Sequence, residues 1–215
     1  MYQPPHFRED RLEVQHELIR NHPLGLIITS GPGGLQANHV PCLVYADESP
    51  HGTLRLHLAR ANPQCHELAA VEECLVVFQG PQRYITPSWY PTKKETDKVV
   101  PTWNYVTVQA WGKPRVIEDA GWLRHQIEDL TNLNEGRFPE PWKVSDAPES
   151  YVQSQIKGII GVEIPIDRIE GKWKVSQNRP AKDRAGVVAG LRGGGETADV
   201  MATLVEECDK HARGI

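Results

Sequence analysis

Apolar and polar positions alternate along the chain in short blocks. Leu12, Leu18 and Ile19 recur at helical spacing, and Asp10 is placed to cap a helix over about residues 11–21, which Pro23 ends. Residues 24–30 (LGLIITS) then form a run of buried-strand length, and GPGG at 31–34 is a turn that glycine makes easily. From Leu35 to Tyr45 the pattern alternates. Asn38, Val40, Cys42 and Val44 fall on one face, and Ala37, His39, Pro41 and Leu43 on the other. Pro41 cannot donate to a ladder, so this strand is expected at an edge or a barrel opening.

Residues 47–52 form a turn and 53–59 a third strand containing His57; Asn62 and Pro63 then supply the cap and first position of a helix. A fourth strand covers 74–79, and 102–110 with 113–117 make a strand pair hinged near Gly112. Asp119 caps a helix carrying Leu123, Ile127 and Leu130, and another helix spans about 147–157. A late strand at 159–169 is extended by 172–178 after a turn at Gly171, and a terminal helix from Glu196 to His211 follows the glycines at 193–195. Residues 79–105 lack a clear period and are expected as a long loop, and 171–187 as a strand end leading into a loop. Strands are not interleaved one-for-one with helices, which predicts an α+β fold: an antiparallel barrel with peripheral helices. No Pro/Ser linker separates independent apolar blocks, so one main domain is expected.

Composition limits the function more than the fold. With 39% hydrophobic and 24% charged residues, the 215-residue chain has a globular balance. Six Trp and six Tyr against three Phe mean that most rings carry a polar edge, which suits a binding surface or a β-rich core. The net charge is −4, and the densest basic cluster, Lys93, Lys94 and Lys98, is interrupted by Glu95 and Asp97, which argues against direct nucleic-acid binding. No apolar run approaches ~18 residues, so no membrane span is expected. Four cysteines without CxxC spacing and an N-terminus without a signal pattern point to a cytoplasmic chain with reduced thiols. GPGGLQ is not GxGxxG, no GK[ST] or GxSxG occurs, and Arg20 breaks an HExxH beginning at His16, so no metal site is expected. No side chain stands out as a catalytic acid or base beyond His39 and His57.

Three stretches carry candidate chemistry. In LRLHLARANPQCHE (54–67) a strand meets a helix start with Arg60 and Asn62 at the junction. That suits a phosphate monoester, and equally a capped helix with Arg60 in a surface salt bridge. In QGPQRYITPSWYPTKKETDKVVPTWNY (79–105) Tyr84, Trp89, Tyr90, Trp103 and Tyr105 could wall a flat ring or form a dimer seam. In GKWKVSQNRPAKDRAGV (171–187) Lys174, Ser176, Gln177, Asn178 and Arg179 gather donors with few acceptors.

These stretches occur in one order with GLIITSGPGGLQANHVP and PWKVSDAP, and together the chain resembles the PaiB family of FMN-binding negative transcriptional regulators over residues 1 to about 192. The resemblance implies the FMN-binding split barrel related to pyridoxamine phosphate oxidases, as one domain over 1–192, with 193–215 as a glycine linker and short C-terminal helix. It also implies a homodimer with FMN at the interface. Its expected contacts are Thr29, Ser30, Asn38, His39, His57, Arg60 (the main phosphate contact) and Asn62, with Trp89 or Trp103 from the partner over one ring face and Lys174, Gln177 and Asn178 closing the site. The implied activity is negative regulation, or flavin-dependent oxidoreduction or sensing. The alternatives are a protein-binding regulator without flavin, and haem handling through His39, His57 and His66.

Overall fold

A computed structural model describes the backbone of residues 1–212 and the side chains of residues 1–208, so the last three positions of the expected 193–215 segment lie outside the described residues. The strands are β1 (Arg8–Glu9), β2 (Leu24–Gly31), β3 (Gly34–Pro41), β4 (Leu43–Tyr45), β5 (Thr53–Ala59), β6 (Cys74–Ile85), β7 (Thr102–Gly112), β8 (Arg115–Ile117), β9 (Ile159–Pro165) and β10 (Arg168–Lys174). The helices are α1 (Leu12–Asn21), α2 (Gln64–Ala70), α3 (Pro91–Thr96), α4 (Ala120–Glu135), α5 (Glu149–Lys157), α6 (Ala181–Leu191) and α7 (Glu196–Ala212). They form two compact units: Met1–Arg11, Gln79–Val108 and Glu170–Ile215 make the first, and Leu12–Phe78 with Gln109–Ile169 make the second.

In the second unit β2 and β3 form a hairpin in register from Leu24↔Pro41 to Gly31↔Gly34. Gly34 has φ +93°, a conformation that glycine adopts without a Cβ clash. β6 pairs with the other side of β2, Ile27 opposite Val76, which leaves β3 as the sheet edge expected from Pro41. The expected continuous strand to Tyr45 is corrected. At Cys42 the chain leaves this sheet, and β4 joins another with Leu43 opposite Arg55. Cys42 and Leu43 are both buried, so the alternation of one strand is broken there by the step from one sheet to the other.

That other sheet runs β4-β5-β9-β8, with β5 and β9 paired from Thr53↔Pro165 to Ala59↔Ile159. Leu54, Leu56 and Leu58 are buried on one face of β5, while Arg55 and His57 alternate with them. α4 packs on β5 and β9 and begins at the predicted cap, the Asp119 carboxylate accepting from the Trp122 N–H at 2.7 Å. Its Leu123 joins Val144, Val152 and Ile156 in a core shared with α5.

The first unit is built on β1-β10-β7-β6 with α3, α6 and α7. The expected loop over 79–105 is corrected: β6 continues to Ile85, a 3-10 turn covers Pro87–Trp89, and α3 follows. Pro87 and Pro91 occupy first-turn positions, where a missing N–H starts a helix rather than breaking one. The expected loop over 171–187 is also corrected, because α6 begins directly after Pro180. β9 ends at Pro165 and β10 passes through Gly171 without turning, so the expected strand boundary shifts.

Candidate functional site

The second unit brings three of the expected residues together through a fourth. Gln64 opens α2 with no exposed surface. Its Oε1 accepts from the Asn38 amide at 2.8 Å, and its Nε2 donates to Thr29 Oγ1 and the Ile27 carbonyl at 3.2 Å and to the Gln36 carbonyl at 3.3 Å. Its backbone N–H donates to Asn62 Oδ1 at 3.0 Å, so Asn62 caps the helix as predicted. One side chain thereby ties the hairpin of β2 and β3 to the end of β5. Ser30 and His39 are exposed on the same hairpin.

Arg60 follows β5 and is half exposed. Its guanidinium donates to Glu118 Oε1 and the Lys157 carbonyl at 3.2 Å, and to the Ile159 carbonyl at 3.3 Å. His57 has Nδ1 2.7 Å from the Oε1 of buried Gln126. The Gln126 Nε2 has no partner among the described residues.

In the first unit Trp89 and Trp103 line a cavity of about 470 Å³ together with Arg83 and Tyr84. Trp103 and Tyr84 meet edge-to-face at 6.1 Å. Lys174 donates to Thr102 Oγ1 at 2.6 Å and to the Trp103 carbonyl at 2.9 Å, and burial holds its ammonium below the ordinary lysine value; Lys172 and Arg179 add to this while Tyr105 opposes. Gln177 is turned inward to the Val175 N–H and the Trp173 carbonyl, and Asn178 is exposed. Sequence reasoning missed Gln64 and Arg83. A signal existed for Gln64, an uncharged polar residue in the first turn after an Asn-Pro cap. Arg83 carried none.

Among the described residues no group of three His, Cys, Asp or Glu could hold a metal ion, and no helix is long and apolar enough to cross a membrane. Antiparallel sheets with helices packed on them define an α+β barrel architecture rather than a doubly wound parallel one. Residues 1–168 match the family described as "Putative FMN-binding domain". The Bacillus subtilis protein named Protease synthase and sporulation protein PAI 2 is 31% identical, over 96% of this chain and 97% of its own length. An uncharacterized protein of Emericella nidulans is 38% identical over 93% of this chain and 94% of its own. The solved FAD and heme binding protein from Mycobacterium smegmatis shares the fold at TM-score 0.60 and 15% identity, covering 78% of this chain and 73% of that one. The chain belongs to the PaiB family of FMN-binding split-barrel proteins, and its cofactor is FMN.

Proposed function

We propose that the chain is a cytoplasmic, homodimeric flavoprotein whose FMN lies at the corner between the hairpin of β2 and β3, the end of β5 and the start of α2. The observation that carries this is the Gln64 hub, which fixes Thr29, Asn38 and Asn62, with Arg60 two positions before Asn62 in the same strand-to-helix connection. The donor set fits the cofactor. The Arg60–Glu118 pair is 45% and 68% exposed, so it contributes under ~1 kcal/mol. A guanidinium–phosphate bond contributes about 1.5–3 kcal/mol, enough to draw the Arg60 Nη1 from Glu118 to the phosphate while Nε and Nη2 keep the Lys157 and Ile159 carbonyls. Asn38, Ser30 and His39 lie along the hairpin with amide, hydroxyl and imidazole groups for the polar edge of the ring.

Bound FMN supplies hydride or one-electron chemistry. The chain's own residues bind and orient it, and His39 places an exposed imidazole on the same hairpin. This supports a flavin-dependent oxidoreductase or sensor. The name of the Bacillus subtilis relative supports a regulatory output in this family. With a net charge of −4 and no basic stripe, that output runs through another protein rather than through DNA. Calorimetric titration of FMN and riboflavin into wild-type and Arg60→Ala protein tests the corner. FMN affinity should fall about 10–100-fold and riboflavin affinity less than threefold, as expected for one lost charge-assisted bond. An equal loss for both ligands refutes the assignment. Sedimentation at two concentrations tests the dimer.

A further inference from the structure

The cavity of the first unit is built at a cost that the FMN corner does not explain. Trp89 rests on α6 where two glycines stand one turn apart. A Cβ at Gly190 would lie 2.3 Å from the Trp89 indole, and one at Gly186 would lie 2.0 Å from the Trp89 carbonyl oxygen. Glycine in a helix interior costs roughly 1 kcal/mol relative to alanine, so α6 gives up about 2 kcal/mol to seat one indole. Trp103 and Tyr84 are 52% and 48% exposed on the facing strands, although large rings gain most by burial. Arg83, half-buried beside Tyr84 in β6, donates from Nη2 to the Gly194 carbonyl at 3.2 Å, while its buried Nε has no partner among the described residues. A buried cationic donor without an acceptor is unfavourable until something supplies one.

We propose that this groove binds a second ligand: a planar aromatic anion of naphthalene size or larger, its ring between the indoles of Trp89 and Trp103 and its carboxylate or phosphate on Arg83. The volume of about 470 Å³ lies within the range of small-molecule sites. FMN is itself an aromatic anion, but the corner proposed for it is built on Gln64, Asn38 and Arg60, none of which lines this groove, so the groove serves a ligand besides the flavin.

The test uses FMN-saturated protein and two probes of the same shape, 2-naphthoate and neutral 2-naphthamide, followed by calorimetry. 2-Naphthoate should bind at least tenfold more tightly than the amide. Arg83→Gln should level the two, and Arg83→Lys should restore part of the preference. Trp103→Leu, at a half-exposed position, should weaken both probes by about tenfold. Equal affinity of the two probes for the wild type overturns the proposal, as does an Arg83→Gln variant that keeps its fold and its preference. Displacement of 2-naphthoate by FMN, one for one, also overturns it, because the groove is then the flavin site. A failure of the Arg60 experiment alone leaves these outcomes unaffected.

Discussion

Replacing Gln64 by leucine nearly keeps the volume of the side chain and deletes every polar contact that the side chain makes at the corner. Four groups lose a partner: the Asn38 amide, Thr29 Oγ1, and the carbonyls of Ile27 and Gln36. Asn38 is half buried and turns to water at little cost, and the carbonyls belong to paired strands. Thr29 is only 1% exposed, so its hydroxyl has no such escape. Stranding a buried hydroxyl costs about 1–3 kcal/mol, and the remaining lost bonds bring the total to roughly 2–3 kcal/mol. In a chain of this size each kcal/mol moves the melting temperature by about 2–4 °C, so Gln64→Leu should melt about 5–10 °C lower.

A second substitution separates this cause from a general packing defect. Thr29→Val removes the stranded hydroxyl, and replacing both partners by apolar groups of similar shape is nearly neutral. The double variant should therefore be more stable than the sum of the two single losses by about 1–2 kcal/mol, read from a thermodynamic cycle of urea melts. Strict additivity, or a Gln64→Leu variant melting within about 2 °C of the wild type, refutes the hub as a source of stability.

The two helical glycines should differ in a set order. Gly190→Ala meets a ring that can tilt, and Gly186→Ala meets a backbone oxygen that cannot, so Gly186→Ala should lose about 2–3 kcal/mol and Gly190→Ala about 1; the reverse order in urea melts contradicts the seat described for Trp89. Burial pushes the Cys42 and Cys74 thiols up to about 12 from a usual value near 9.0. Between those limits the unfolded chain binds fewer protons than the native one, so stability should fall as pH rises from about 9 toward 12, by roughly 1.4 kcal/mol per pH unit for each thiol. Cys42→Ala/Cys74→Ala should flatten that slope, and an unchanged slope would assign it elsewhere. Native protein should also protect both thiols from a disulfide reagent until it unfolds.

Local signals carried the elements well where cap chemistry and periodicity agreed. Asn62-Pro63 opening α2, Asp119 capping α4 and Pro41 on an edge strand all follow from single residues whose backbone chemistry allows few alternatives. The same residues misled where tertiary packing decides. Pro87 and Pro91 punctuate a loop by propensity, yet in the fold they begin short helical turns. Gly186 and Gly190 lower the helical signal of α6 and are present because Trp89 packs there, a contact 97 and 101 positions away in the chain. The site divides in the same way. Asn38, Thr29 and Asn62 were visible as polar residues on predicted elements. Gln64 was not singled out, because what marks it is complete burial among partners from two strands.

Gln64 and Arg83 also predict opposite responses to losing their polar atoms. Gln64 has both ends satisfied, so an apolar substitute can only strand its neighbours. Arg83 carries a buried Nε without a partner among the described residues, an uncompensated cost of about 1–3 kcal/mol, against a single Nη2 bond to Gly194 contributing about 1. Arg83→Met retains the stem packing and removes the stranded N–H. It should leave the ligand-free protein as stable as the wild type or raise it by about 1 kcal/mol. The same variant should lose the preference for 2-naphthoate over 2-naphthamide. Stability gained with binding lost is the pattern of a residue kept for a ligand. A fall in melting temperature comparable to that of Gln64→Leu would instead make Arg83 a structural strut for the glycine loop, and the groove would lose its reason for an anion.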